Sequence, residues 1–157
     1  MRNRKQWILL SIIGLFFACR PPSIDHDAEA AALMQRSRDW SDLVSSAPID
    51  EWIEYWAEDA VMMPPGLPPL EGRAAIREYV EAAAEIPGFS ISWEPLSAYV
   101  AEGGDIAYMI ERNVTTVSDS VGNLTTTHGK GVTIWRRAPD GSWRNVVDVW
   151  NAAPPPG

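Results

Sequence analysis

The stretch that decides the fold covers residues 55–79 and reads YWAEDAVMMPPGLPPLEGRAAIREY. It begins with the end of a helix and continues into a short apolar strand, Val61-Met62-Met63. Pro64-Pro65-Gly66 stops this strand, because proline cannot donate a hydrogen bond to a neighbouring strand. Gly72 then leads into a new amphipathic helix. This order of elements predicts a domain in which helices pack against a sheet.

Two further helices are predicted before this strand. Apolar residues recur at helical spacing between Ala28 and Val44, and either Asp25 or Asp27 is suited to cap the first helix at its N-terminus. Pro48 opens the second helix in its first turn, where a missing N–H group costs nothing. The second helix then carries an apolar stripe of Ile49, Trp52, Ile53 and Trp56.

The chain after residue 88 alternates between apolar and polar residues as strands do. Phe89, Ile91 and Trp93 share one face of the first of these strands. Ile106, Tyr108 and Ile110 share one face of the second. Turn sequences at residues 119–123 and 139–141 separate the last strands. Three helices followed by four long antiparallel strands predict an α+β fold, with the helices on one face of the sheet.

Length and composition indicate one globular domain. The chain has 157 residues, of which 46% are hydrophobic and 22% charged, so one real core is possible and two ordinary domains are not. Eight tryptophans are many for this length. Aromatic side chains dominate the energetics of cores and pockets, so we expect an aromatic interior.

The N-terminus has the pattern of an export signal. Arg2, Arg4 and Lys5 precede an apolar run at residues 7–18, which is too short to span a bilayer but suits a signal peptide. The run ends in Leu15-Phe16-Phe17-Ala18-Cys19, which resembles a bacterial lipobox. The expected organisation is a signal peptide at 1–18, a tether at 19–24, a domain at 25–151 and a proline-rich tail at 152–157. A plain signal peptide and an uncleaved anchor are the alternatives.

Cys19 is the only cysteine, so no disulfide can form within the chain. A lone thiol at the end of an export signal is best explained as a lipid attachment point. By similarity to bacterial sorting signals, Arg20 in the next position favours the outer membrane, facing the periplasm; otherwise the protein would be periplasmic or secreted. Without the signal peptide's three basic residues, 10 of the 13 Lys and Arg remain against 21 acids, a formal charge of −11. Such a surface excludes non-specific nucleic-acid binding.

Four segments in order carry a family resemblance: PIDEWIEYWAEDAVMMPP, LEGRAAIREYV, GGDIAYM and HGKGVTIWRRAPDGSWRNVVDVWN. Together they resemble the SnoaL-like, ketosteroid-isomerase-like group of the nuclear-transport-factor-2-like superfamily, over residues 40–151. The resemblance implies a cone-shaped, curved antiparallel sheet wrapped around three N-terminal helices, with a pocket inside. The same fold serves enzymes, binding proteins and assembly domains, so it does not fix an activity.

The residues of a true ketosteroid isomerase are missing from this chain. That enzyme uses an aspartate base, together with a tyrosine and a protonated aspartic acid that donate hydrogen bonds to the developing enolate. The resemblance places the base position at Met63, and a thioether cannot abstract a proton. The tyrosine position falls near Trp40 or Ser41, and the acid position near Lys130 or Gly131. Steroid isomerisation by this route is therefore not expected.

Asp148 is the candidate general base. It lies in the apolar run Val146-Val147-Asp148-Val149-Trp150, so a position facing a cavity would desolvate it and raise its pKa. The alternative is an aspartate at the rim, paired with Arg112 or Arg144. His128 is a candidate general acid with Asp148 as its partner, or else a solvated residue at the end of a strand. Glu111 is expected outside and solvated, because Tyr108 and Ile110 are expected to face the core.

Aromatic and thioether side chains form the candidate ligand-binding set. Each of them alone is consistent with core packing, but together they suit an adaptable apolar pocket. The set is Trp40, Tyr55, Trp56, Met63, Tyr108, Trp135 and Trp150. No cofactor motif accompanies it. The two histidines, His26 and His128, are too far apart in the sequence to suggest a metal site.

Three functions are compatible with these observations. The first is a lipid-anchored domain that binds a small apolar or aromatic ligand. The second is an isomerase-, cyclase- or hydratase-type enzyme with Asp148 as the base. The third is a homodimeric interaction module in which Thr133, Trp135 and Arg137 form the contact on the outer face of the sheet.

The lipobox can be tested directly by the substitution Cys19→Ser. In a diderm bacterial host fed radiolabelled palmitate, the unchanged chain should incorporate label and fractionate with the outer membrane, whereas Cys19→Ser should incorporate none. Equal labelling of both proteins would remove the lipid anchor from the interpretation.

Overall fold

The computed structural model describes residues 24–155. The predictions for the signal peptide, for Cys19 and for most of the tether lie outside the described residues, as do residues 156 and 157 of the tail. Those statements stay predictions. Between residues 24 and 155, none of the helices combines the length and the apolar character that crossing a bilayer requires.

Three helices precede the long strands, as predicted: α1 (His26–Ser46), α2 (Ile49–Trp52) and α3 (Arg73–Ala84). The Asp25 side chain caps α1 by accepting a hydrogen bond from the backbone N–H of Ala28 at 3.1 Å. A 3₁₀ turn, Ile53–Tyr55, extends α2. Gly72 precedes α3 with a φ of 85°, a backbone conformation that side chains disfavour, and its N–H donates to the carbonyl of Ala60 at 2.8 Å.

Six strands form one curved, unclosed sheet in the order β2-β1-β6-β5-β4-β3. Their bounds are β1 Trp56–Met63, β2 Leu70–Glu71, β3 Ser90–Val100, β4 Ile106–Ser118, β5 Leu124–Arg137 and β6 Trp143–Ala152. The predicted α+β cone is confirmed. The purely antiparallel sheet needs a correction, because β1 pairs with β6 in parallel while the other neighbours are antiparallel.

The first strand is longer than the sequence suggested. We predicted a strand only at residues 61–63 and placed Trp56 in the helical stripe, but β1 begins at Trp56. The spacing of Trp52, Ile53 and Trp56 fits a helix, yet the helical turn ends at Tyr55. The pairing of β1 with β6 shifts between Trp56 and Val61, so an irregularity in the strand carries the chain from the end of the helix into regular pairing.

The core is built around the indole of Trp40 on α1. Tyr55 stacks on it with ring centroids 5.2 Å apart, and Trp56, Trp93 and Trp135 contact it edge-on at 4.7, 5.0 and 5.8 Å. These partners come from the 3₁₀ turn and from β1, β3 and β5. Edge-to-face aromatic pairs add about 0.5–1.5 kcal/mol each beyond the area they bury. One side chain therefore ties α1 to three strands.

The inner face of β4 is the opposite of the one we expected. Ala107, Met109, Glu111 and Asn113 are buried, while Ile106, Tyr108 and Ile110 remain exposed on the outer face. Alternation predicts which residues share a face but not which face is covered. Large helix residues such as Trp40 occupy the interior, so small and polar side chains fit the inner face of this strand.

Candidate functional site

A cavity of about 430 Å³ lies between the helices and the inner face of the sheet. This volume suits a small organic molecule. Residues from α1, α3, β1, β3, β4 and β6 line it, so it exists only in the assembled fold. Its aromatic walls are Trp40, Trp52, Trp56, Tyr79, Phe89, Trp93 and Trp150.

Asp148 enters the cavity from β6. It lies beside Met62 of the parallel strand β1 and opposite Thr133 of β5. Burial among these neighbours raises the pKa of Asp148 to about 7, because the ionised form loses its hydration. The Trp56 indole N–H lies near enough to lower this pKa somewhat, but it completes no hydrogen bond of normal geometry. Part of the Asp148 surface stays accessible, as a cavity-lining residue requires.

Glu111 enters the same cavity from β4 and is only 7% exposed. Desolvation, and then the charge of Asp148, raise its pKa from an ordinary value of 4.5 to about 8. One pKa unit corresponds to about 1.4 kcal/mol, so ionising Glu111 in place costs on the order of 5 kcal/mol. Within residues 24–155, every ion pair involves carboxylates other than Asp148 and Glu111. The two carboxyls are therefore buried without a protein cation.

Two glycines on β5 provide the space for polar side chains from β4. Gly131 lies opposite Glu111, and a Cβ at Gly131 would sit 3.6 Å from the Glu111 Cγ and 3.0 Å from the carbonyl oxygen of Val149. Gly129 lies opposite Asn113, and a Cβ there would fall 2.2 Å from the Asn113 Oδ1 atom. The Glu111 and Asn113 side chains thus lie over bare backbone, which lets them stay inside a curved sheet.

The carboxyl pair is suited to proton transfer. Two interacting carboxyls do not both ionise easily, so over a range of pH one is charged while the other keeps its proton. The charged member can accept a proton and the neutral member can donate a hydrogen bond. Tyr79 of α3 also lines the cavity, and burial together with the charge of Asp148 raises its pKa, so it stays a neutral phenol.

Four of the predicted site residues do line the cavity: Trp40, Trp56, Trp150 and Asp148. Asp148 is not paired with Arg112 or Arg144, and Arg144 instead lies 3.6 Å from Asp140. The rim alternative for Asp148 is therefore wrong. Trp40 and Trp56 have buried indole N–H groups with no hydrogen-bond partner among the described residues.

Three predicted ligand-binding residues do not line the cavity. Tyr55 stacks on Trp40 on one side and receives the Arg36 guanidinium 4.2 Å from its ring centroid. Trp135 is 0% exposed and donates to the Thr133 hydroxyl at 2.9 Å, so it is core. Met63 pairs with Val149 one residue beyond the Met62–Asp148 pair, so the alternation puts it on the outer face and Met62 in the cavity.

Two further residues are on the wrong side of the sheet for the roles we predicted. Tyr108 is 46% exposed and stacks on Tyr99 across the outer face. His128 pairs with Val114 and is adjacent to Gly129, which faces inward. Its side chain therefore projects from the outer face of the sheet and does not reach Asp148. The proposed His128–Asp148 pair is corrected to a Glu111–Asp148 pair. The expectation that Glu111 would be solvated is also wrong, because the buried face of β4 is the opposite of the predicted one.

The position that the family resemblance assigned to an acid contains a carboxyl after all. Gly131 has no side chain, but Glu111 reaches over it from the neighbouring strand. The sequence signal for this was the pair of glycines two residues apart within a β-strand pattern, since mid-strand glycines mark a close approach of another group. No carboxyl occupies the base position, because Met63 points outward and its neighbour Met62 has a thioether side chain. Asp148 lies next to Met62 instead.

The raised pKa values predict a pH dependence of stability. Both folded values lie above those of an unfolded chain, so the pair carries no penalty below about pH 4 and destabilises the fold increasingly as pH rises through 7 to 8. Glu111→Gln should remove part of this loss. Between pH 4.5 and pH 8.5, the free energy of unfolding of this variant should therefore rise by about 2–4 kcal/mol relative to that of the parent. Urea unfolding at both pH values measures it.

Glu78→Gln is the matched control, since Glu78 is exposed on α3. This variant should follow the parent at both pH values. If Glu111→Gln also ran parallel to the parent, the buried position of the carboxyl would be in error.

The comparisons with known proteins agree with the fold. The model of the SnoaL-like domain family matches residues 37–146, whereas no protein with a curated description matches the chain. A ketosteroid isomerase-like protein from Erwinia carotovora atroseptica has 21% identity and a TM-score of 0.67, over 79% of this chain and 96% of that one.

Two further solved structures are similar at the level of fold. An NTF2-like protein of unknown function from Pseudomonas putida has 19% identity and a TM-score of 0.66, over 81% of this chain and 88% of that one. The association domain of CaMKII from C. elegans has 16% identity and a TM-score of 0.61, over 80% of this chain and 97% of that one. With the family model matching more than half of its length, the chain belongs to the SnoaL-like family of the nuclear-transport-factor-2-like superfamily.

Proposed function

We propose that this domain binds a small, mainly apolar molecule in its cavity and transfers a proton on it, with Asp148 and Glu111 as the acid–base pair. The observation that carries the proposal is a pair of buried carboxyls, without a protein cation, inside an aromatic cavity of about 430 Å³. Structural ion pairs do not explain these carboxyls, and perturbed pKa values in a cavity are typical of functional groups.

The two carboxyls have different roles near neutral pH. Asp148 keeps part of its surface accessible and lies near the Trp56 indole N–H, which favours its ionised form, so it acts as the base. Glu111 keeps its proton to about pH 8 and donates a hydrogen bond to oxygen that becomes negative. For a carbonyl compound, Asp148 takes a proton from the carbon next to the carbonyl. Asp148 then returns that proton at the same carbon, or at the γ-carbon where a β,γ double bond is conjugated with the enolate, and Glu111 ends as it began.

Family membership supports this class of chemistry without naming a substrate. The similar protein from Erwinia carotovora atroseptica is described as ketosteroid isomerase-like, and the proposal brings proton transfer to this chain with other residues in the acid and base positions. Trp40 and Trp56 line the same cavity and have buried indole N–H groups without a partner among the described residues, and a polar atom of a ligand is a suitable partner for either.

The proton-transfer step can be tested with 2-tetralone, a flat apolar ketone whose α-protons exchange with solvent. In D₂O followed by NMR, the parent protein should accelerate the exchange, and Asp148→Asn should lower the protein-dependent rate by about 10²–10⁴. The rate should rise as pH approaches 7 and fall above about 8, since the base must be ionised and the donor protonated.

Tryptophan fluorescence separates binding from chemistry in the same experiment, because five tryptophans line the cavity. Glu78→Gln serves as the control with unchanged rate. Binding of 2-tetralone with equal exchange in the parent and Asp148→Asn would leave a binding domain and reject the acid–base role. No fluorescence response to this ketone or to a panel of apolar ketones would reject the cavity as a site for ketones, and with it the proton-transfer step.

We also propose that the domain forms a homodimer through the outer face of its sheet. The contact predicted from Thr133, Trp135 and Arg137 is wrong: Thr133 and Trp135 are buried inside, and Arg137 pairs with Glu29 of α1. The outer face does expose a set of apolar side chains: Tyr99, Ile106, Tyr108, Ile110 and Val132. A patch of this kind is typical of an interface. The similar domain from C. elegans is an association domain, which supports self-assembly as the use of this face.

Sedimentation of the parent and of Ile110→Asp tests the interface. The parent should sediment as a dimer at micromolar concentration, and Ile110→Asp should raise the dissociation constant about a hundredfold or more, because it buries an unpaired charge. Val121→Asp is the control, since Val121 is 80% exposed in the β4–β5 turn. A parent that stays monomeric at high concentration contradicts the proposal.

The N-terminal sequence adds a location to this proposal. We infer that the domain is exported and held to a membrane by a lipid on Cys19, as the lipobox-like run implies. The labelling of Cys19→Ser described above is its test.

A further inference from the structure

The described residues that line the cavity include acidic side chains but no basic ones. Among the residues that line it in the described part of the chain, Glu111 and Asp148 are the acids, Tyr79 is a neutral phenol, and none is lysine, arginine or histidine. The cations near the helices are engaged elsewhere: Arg38 pairs with Glu94, and Arg73 with Glu54 and Glu58. The charge of the pair is therefore uncompensated by the protein.

An uncompensated buried carboxyl is a state that proteins normally avoid. Natural sequences place a buried charge beside an opposite charge or leave it out, because desolvation costs more than any single neutral hydrogen bond returns. Glu111 is more than nine-tenths buried, lines the cavity and forms no ion pair within residues 24–155. A positively charged group in the cavity would supply the missing partner of both carboxyls.

The walls of the cavity favour the same kind of ligand. Five tryptophans, a tyrosine and a phenylalanine surround the carboxyls. The faces of aromatic rings attract cations, tryptophan most strongly, and organic ammonium groups are recognised in this way. An inorganic cation fits less well. In the described chain, no three His, Cys, Asp or Glu side chains lie together, and the walls offer few of the oxygen ligands that hard metal ions need.

The charge of the whole chain acts in the same direction. With 21 acids against 13 basic residues, the formal net charge is −8. Such a field raises the local concentration of cations and lowers that of anions around a cavity. An anionic ligand would meet both this field and the carboxyl pair.

We propose that the physiological ligand is an organic cation, an amine or quaternary ammonium group on an apolar body, whose charge lies against Glu111 and Asp148. This inference depends on the ligand-binding part of the proposed function and not on proton transfer. A cavity with this preference differs from one whose preferred ligands are neutral ketones or anionic acids.

Proton linkage follows from the charges that face the site. Tyr79 from α3 is the other titratable group that lines the cavity, and the Trp56 N–H from β1 lies near Asp148; neither is charged at neutral pH. A cation favours the ionised carboxyls, so its binding releases protons and its affinity rises with pH until the pair is fully ionised. The affinity of a neutral ligand does not rise in this way.

Phenyltrimethylammonium and tert-butylbenzene provide the test, because they have the same shape and differ by one charge. Tryptophan fluorescence titrations at pH 8 should show the cation binding at least about tenfold more tightly than the hydrocarbon. The ratio should fall about tenfold between pH 8 and pH 6, since the cation has no group that titrates. The double variant Glu111→Gln/Asp148→Asn should lose most of this preference for the cation and its dependence on pH, and Glu78→Gln should behave as the parent.

Each result decides the matter. If tert-butylbenzene binds as tightly as the cation, or the ratio is the same at pH 6 and pH 8, the cationic ligand is rejected while the binding cavity stands. If neither probe binds, the binding part of the proposed function falls together with this inference. The pH series uses the unaltered chain, so it remains decisive even if the double variant does not fold.

Discussion

The structure depends on the packing of Trp40. This indole is the point at which α1 meets β1, β3 and β5, because its neighbours are Trp56, Trp93 and Trp135 of these strands and Tyr55 just before β1. Two serines on the same helix complete the contact: Ser37 accepts from the Trp93 indole and Ser41 from the Trp93 backbone N–H, each at 3.0 Å. The helix is thereby held at a fixed height above the sheet. The cavity is the space that remains beyond this aromatic cluster.

The carboxyl pair destabilises the empty domain, and the rest of the fold must offset that cost. Ionising Glu111 alone costs on the order of 5 kcal/mol, which approaches the whole net stability of an ordinary domain. At neutral pH the chain keeps Glu111 protonated, which still costs stability relative to an unfolded chain whose carboxyl is ionised. The bare backbone at Gly129 and Gly131 accommodates the polar side chains without displacing the sheet. A site that is costly for the empty protein becomes favourable once a ligand compensates its charge or uses its proton.

The sequence predicted the elements well and the faces less well. Helical spacing, the Asp25 cap and the turn signals gave the three helices and the four long strands, because these are local properties of the chain. The side of β4 that is buried is not local, since it depends on what α1 places above the strand. Tyr108 and Ile110 are more apolar than Glu111 and Asn113, so the composition of β4 favours the wrong face. The two glycines of β5 were the available sign that polar groups lay inside, and they require the β4–β5 register to be interpreted.

The parallel pairing of β1 with β6 gives the site an order of assembly. Met62 and Asp148 become neighbours only when the last strand of the domain aligns beside the first. Contacts between distant parts of a chain form late and slow the folding of a domain. The helices and the hairpins of β3 to β6 can form between residues that are close in the sequence, but the pairing of β1 with β6 cannot. Met62 and Asp148 therefore cannot become neighbours until β6 has been synthesised and has paired with β1.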